Sequence, residues 1–105
     1  MTPAHYPDVL RYARAIIADR ERWTKHAIAR NQYGGACETE RGVKFCAVGA
    51  IKATTAQHGG PLAVLNEAAL NLYGRISWEV NDYLGHVEVM RVYDEAIRLA
   101  EKANA

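Results

Sequence analysis

At 105 residues, with 50% hydrophobic and 24% charged side chains, the chain has the size and composition of one globular domain, 1–105, and is too short for two. Thirteen Lys and Arg against twelve Asp and Glu leave a formal charge of +1, which speaks against an overall electrostatic commitment to nucleic acid or anionic lipid. No run approaches the ~20 apolar residues of a membrane span. Met1 to Asp8 lacks the basic-then-apolar pattern of a secretory signal, so a cytoplasmic location is expected.

The first periodic segment runs from about Asp8, read as an N-cap, to Arg22, with Val9, Leu10, Ala13, Ile16 and Ile17 on one helical stripe. From Trp23 to Asn31 the helical and extended periods fit equally well, and both readings stay open. Asn31 to Gly35 is a turn signal, compatible with a short hairpin between the first two helices. A second helix is expected from near Val43 to about Gln57, stopped by Gly59 and Gly60. Its Cys46, Gly49, Ala50 and Ala53 form a small-residue face. Because glycine inside a helix costs about 1 kcal/mol relative to alanine, Gly49 implies close approach of a neighbouring helix or chain.

Pro61 suits the first turn of a third helix, Leu62 to Leu72, with Leu62, Leu65, Ala69 and Leu72 inward and Gly74 as its stop. Arg75 to Gly85 is expected to be a connector, too aromatic for an ordinary exposed loop and therefore packed down. The last helix, about Val87 to Lys102, turns Val89, Met90, Tyr93, Ala96, Ile97 and Ala100 inward. Asp94 with Arg98 and Arg91 with Glu95 are i,i+4 pairs on its outer face. The expected architecture is a mainly α, single-domain bundle of about four helices with a core over about 8–102.

The aromatic-Cys-x-x-Gly-Ala pattern at Phe45, Cys46, Gly49 and Ala50, the Asn81-Asp82 pair, and Trp23 together resemble a family of small bacterial and phage proteins of unknown function. The resemblance spans roughly Val9 to Ala100. The chain departs from the family pattern at Phe45, where Trp is usual, at Ile51, where Leu is usual, and at Val80, where Trp usually precedes Asn-Asp. The resemblance implies a cytoplasmic bacterial or phage origin and a shared, mostly helical fold. It brings no activity, cofactor or site residue with it.

One constellation has the makings of catalysis. Cys46 near a helix N-terminus, with His58 or His86 as base and Asn81 or Asp82 as orienting group, would form a cysteine-dependent hydrolase or acyl transferase. Against it, cysteine is among the most buried residue types, and Cys46 shares a face with Gly49 and Ala50. His58 reads as a C-terminal dipole partner and His86 as a helix-entry residue. Cys37 and Cys46, with eight residues between them, make neither a disulfide framework nor, with His5, His26, His58 and His86, a zinc spacing. No metal and no cofactor is expected.

The preferred reading is a non-enzymatic module that binds another macromolecule, a protein partner or a second copy of itself. Its surface would be built from Trp23, Trp78, Asn81, Asp82 and Tyr83, although Asn81 and Asp82 also suit the structural task of bonding exposed backbone in a turn. A third reading is weak nucleic-acid binding through the basic first half, where residues 1–58 carry +4 against −3 for the remainder, with Arg11, Arg14 and Arg22 as the phosphate contacts. The absence of interleaved aromatic residues counts against it, and a helix-turn-helix of the second and third helices is disfavoured separately because the third carries no Arg or Lys.

Overall fold

A computed structural model describes residues 5–103. Helix α1 (Tyr6–Ala18) begins two residues before Asp8, because Pro7 is accepted in the first turn, where its missing N–H costs nothing. Asp8 then lies inside that turn, where a carboxylate complements the helix dipole. The helix ends at Ala18 rather than at Arg22. Asp19 turns extended and its carboxylate accepts from the Glu21 N–H at 2.9 Å, opening a separate 3-10 turn over Arg20–Arg22.

The ambiguous stretch after Trp23 is not helical: it bends through residues 25–28 and becomes a strand only at Ala29–Arg30. Strand β1 (Ala29–Arg30) pairs antiparallel with β2 (Ala36–Cys37) and with β3 (Lys44–Phe45), giving the order β2-β1-β3. The hairpin turn is tied by Asn31, whose Oδ1 accepts from Tyr33 N–H and Gly35 N–H at 2.9 and 3.1 Å. Such an Asx arrangement stands in for a backbone turn. The Arg30 guanidinium ties the loop before β1, through Thr24 Oγ1 at 2.8 Å and Lys25 O at 3.1 Å, to the hairpin turn, through Gly34 O at 3.1 Å.

Helix α2 is shorter than the sequence suggests, Ala47–Thr54, since Lys44 and Phe45 are spent on β3 and Cys46 becomes the N-cap. Helix α3 (Gly59–Tyr73) takes Gly59 and Gly60 into its own first turn instead of leaving them as a stop for α2. His58 is accordingly an N-cap position, not a C-terminal dipole partner. Gly74 closes α3 in the left-handed conformation, its N–H bonding Leu70 O at 3.0 Å. The expected aromatic connector is helical: α4 (Ser77–Glu79) runs into a π-turn over Val80–Leu84 that ends at Gly85. Helix α5 (His86–Ala103) follows.

The core lies where α5 packs on α1 and α3 and where α1 packs on α2. Leu10, Ala13 and Ile17 of α1, Ala50 and Ile51 of α2, Leu65, Ala68 and Ala69 of α3, and Val89, Val92, Tyr93 and Ala96 of α5 fill it. The stripes of α1 and α5 follow the expected spacing, whereas Leu72 of α3 is exposed. At the rim, Arg11 bonds Glu101 at 2.6 Å and Arg14 bonds Asp94 at 2.8 Å, joining α1 to α5. Asp94 is thus taken by α1, and Arg98 pairs with Glu95 one turn back rather than with Asp94. Among the described residues no helix is long and apolar enough to cross a membrane.

Tyr93 is wholly buried and donates its hydroxyl to Ala47 O at 2.6 Å, locking α5 to the start of α2. Burial, and secondarily the nearby Cys46, holds its phenol well above the ordinary value. A group whose pKa is raised on folding stabilises fully below its unfolded value and loses that contribution as pH rises through the folded one. Stability is therefore expected to fall above pH ~10. Tyr93→Phe should flatten that alkaline loss while costing about 1 kcal/mol at neutral pH, as read by urea melts at several pH values.

Candidate functional site

Asn81 is the keystone of the region the sequence singled out. It sits in the π-turn, fully buried, and uses all of its hydrogen-bonding capacity. Its Oδ1 accepts from the Trp23 indole N–H at 2.7 Å and from Ala47 N–H at 2.9 Å. Its Nδ2 donates to Thr24 O and to Asp82 Oδ1, both at 3.0 Å. An indole and a backbone N–H can only donate, so these contacts also fix which way the amide points. The Ala47 N–H is one of the orphan donors at the start of α2, and Asn81 satisfies it from 34 residues away.

Asp82 completes the arrangement. Its Oδ1 also accepts from His26 N–H at 2.9 Å, while Oδ2 lies 3.6 Å from His26 Nδ1, too far for a hydrogen bond. His26 has φ +66°, a left-handed conformation rarely taken by a non-glycine residue, and it is held there with its N–H on Asp82.

Beside this network lies a cleft of about 390 Å³ between the loop leading into β1, the start of α2, α3 and α4. Ala27, Ile28, Val48 and Leu62 give it apolar walls. Cys46, Asn66, Ser77 and Asp82 add polar groups, and Trp78 stands at its edge, 45% exposed. Asn66 Oδ1 accepts from Ser77 N–H at 3.0 Å, which ties α3 to α4 across the cleft. Tyr83, 61% exposed, lies with its ring 6.1 Å from that of Trp78.

The sequence-derived candidates separate into two groups. Cys46, Trp78, Asn81 and Asp82 come together at the cleft, with Tyr83 beside Trp78. Trp23 is half-buried, its N–H spent on Asn81 and its ring edge-to-face with His86 at 5.4 Å. His86 Nε2 contacts Ile17 O at 2.7 Å, and neither His86 nor His58 lines the cleft. The imidazole facing Asp82 belongs to His26, which sequence reasoning did not single out. Its left-handed backbone leaves no trace in the sequence. Ile28, Val48, Leu62, Asn66 and Ser77 were also missed as cleft residues, since they come from four separate segments. Among the described residues no group of three His, Cys, Asp or Glu side chains assembles in a way that could hold a metal ion.

Cys46 is 6% exposed and caps α2, its Sγ accepting from Gly49 N–H at 3.2 Å. Burial pushes its thiol up, and the Asp82 carboxylate adds to that, outweighing the helix-start N–H groups of Gly49 and Val48 that favour a thiolate. Alkylation of native Cys37→Ser protein is accordingly expected to be slow at pH 7, with a midpoint above the ~8.5 of a free cysteine. Rapid labelling below that pH would contradict this arrangement.

No curated protein and no solved structure matches the chain. A family model does match it, over residues 1–99. The chain therefore belongs to a family of unknown function, DUF6197.

Proposed function

We propose that the protein is a non-enzymatic binding module that takes a segment of a partner protein into the cleft between the loop before β1 and α4. The observation that carries this reading is the cleft itself, about 390 Å³, with apolar walls, a few convergent polar groups and the exposed rings of Trp78 and Tyr83 at its edge. Concave, mostly apolar sites with a few placed polar groups are where ligands bind, and half-exposed aromatic side chains are the usual anchors of interfaces. In this reading Trp78, Tyr83 and Asp82 meet the partner. Trp23 and Asn81 hold the floor in place from beneath.

The cysteine-dependent alternative fares less well. Cys46 does line the cleft, but its thiol is disfavoured as a thiolate and neither His86 nor His58 lies against the cleft. Nucleic-acid binding through the first half loses two of its contacts, since Arg11 and Arg14 are paired with carboxylates.

Selection of displayed peptides on the folded protein tests the proposal. The enriched peptides are expected to lose binding at least about tenfold with Trp78→Ala, a change of about 1.4 kcal/mol, while the melting temperature moves little because the ring is half exposed. Absence of enrichment, or enriched peptides indifferent to Trp78→Ala, would overturn it.

A further inference from the structure

The chemistry of the cleft narrows what the partner presents. Among the described residues Asp82 is the one carboxylate lining it and no Lys or Arg lines it; the base beside it is His26, whose Nδ1 lies 3.6 Å from Asp82 Oδ2 on a largely exposed ring. Its side chain is 17% exposed, so a cation reaching it would meet little competing water. Asp82 Oδ1 is already occupied by two donors, His26 N–H and Asn81 Nδ2, whereas Oδ2 has no hydrogen bond. A guanidinium gains its advantage by bonding both carboxylate oxygens in parallel, and that fork is obstructed here. A compact ammonium needs only one oxygen.

Ala27, Ile28, Val48 and Leu62 line the same cleft as Asp82 and offer surfaces suited to a run of methylenes. Trp78 lines the same cleft and is 45% exposed, so an aromatic ring stands in the site that holds the carboxylate. Past the edge, the Tyr83 ring extends the apolar surface beyond what a single small amine would cover, which favours a polypeptide carrying residues on either side. We infer that the cleft takes the side chain of a lysine presented by a partner polypeptide, the ammonium on Asp82 Oδ2 and the methylenes against the apolar walls. This inference rests on the binding-module reading and specifies its ligand.

Capped tripeptides with glycine on either side of lysine, arginine or norleucine, titrated into the 105-residue chain and followed by amide and indole NMR resonances, provide the test. The lysine peptide should shift the amides of Ala27, Ile28 and Asp82 and the indole of Trp78 saturably, with the roughly millimolar Kd of a single-residue contact. Norleucine, which has the methylenes without the charge, should bind at least about tenfold more weakly, and arginine more weakly than lysine. Asp82→Asn retains the acceptor for His26 N–H and should reduce lysine binding to the norleucine level. If that variant fails to fold, the lysine-to-norleucine ratio on the unaltered chain decides alone. Norleucine binding as tightly as lysine, or arginine binding more tightly, would overturn the lysine assignment and leave a binding cleft. If no cleft resonance moves with any of the peptides, the binding reading falls with it.

Discussion

Replacing Asn81 with leucine is expected to destabilise the protein by about 3–5 kcal/mol, lowering the melting temperature by roughly 15 °C or more. The two side chains have similar volume, so the loss is not a cavity effect. It comes from three groups that lose their partner: the buried Ala47 N–H, and the part-buried Trp23 indole N–H and Thr24 carbonyl. Each orphaned buried group costs about 1–3 kcal/mol, and the gain from a more apolar side chain offsets only part of the sum. Asn81→Asp separates hydrogen bonding from shape. It keeps both acceptor contacts of Oδ1 but places a second carboxylate oxygen where Nδ2 met Thr24 O and Asp82 Oδ1. The introduced carboxyl would be buried beside a like charge, so folding raises its pKa, and its contribution is present at low pH and lost as pH rises. Asn81→Asp should therefore fall short of the parent most at pH 7 and recover toward pH ~4. Thermal melts of both variants across that range check the pair. Leucine within 1 kcal/mol of the parent would mean that the Asn81 network is dispensable.

Why this network escapes sequence reading is a matter of range. Asn81 and Asp82 are visible as polar residues in an aromatic stretch, and a backbone-bonding role for them is a sound reading of their chemistry. Their actual partners, Trp23, Thr24, His26 and Ala47, lie between 34 and 58 residues away, beyond any local pattern. The stripes of α1 and α5 were legible for the opposite reason: each buries one face against a broad neighbour, so the helical period is written directly into the apolar positions. Segments that bury several faces, or none cleanly, were misjudged. Val80, Asn81 and Ser77 are buried beside exposed Trp78 and Tyr83, a pattern that a π-turn produces and a regular helical period does not. The double glycine before Pro61 resembles a stop because glycine so often ends a helix. Here Gly60 is helical and stands against the hydroxyl end of Tyr6, which would have to move to admit a side chain at that position. Cys46 illustrates a third case: its place near the start of α2 is legible, but its ionisation is set first by burial, which is a tertiary property, with Asp82 from a different segment adding to it.

Gly49 links local sequence to the placement of the cleft, and Gly49→Ala is expected to cost about 3–5 kcal/mol despite alanine's intrinsic helix preference of about 1 kcal/mol. A Cβ at this position would lie 2.0 Å from Ile28 O and 2.9 Å from Ile28 C. The close approach implied by a glycine within a helix is thus real, but what approaches is the backbone leading into β1 rather than a neighbouring helix. Backbone cannot rotate away as a side chain can. The same Ile28 carbonyl accepts from Cys46 N–H at 3.1 Å, so displacing it would also break the contact that seats the start of α2 on the sheet. Gly60→Ala supplies the contrast. Its Cβ would meet the hydroxyl end of Tyr6, at the edge of the fold, and the ring can swing outward. That variant should cost distinctly less, about 1 kcal/mol or under once alanine's helix preference is counted. Because Ile28 and Cys46 both line the cleft, the damage from Gly49→Ala should not be confined to stability. Any folded fraction of the variant should show displaced resonances for Ala27, Ile28 and Asp82, whereas Gly60→Ala leaves them in place. Equal melting temperatures for the two variants would show that α2 and the loop before β1 can part without penalty, and the cleft would then lack the rigid wall that its ligand requires.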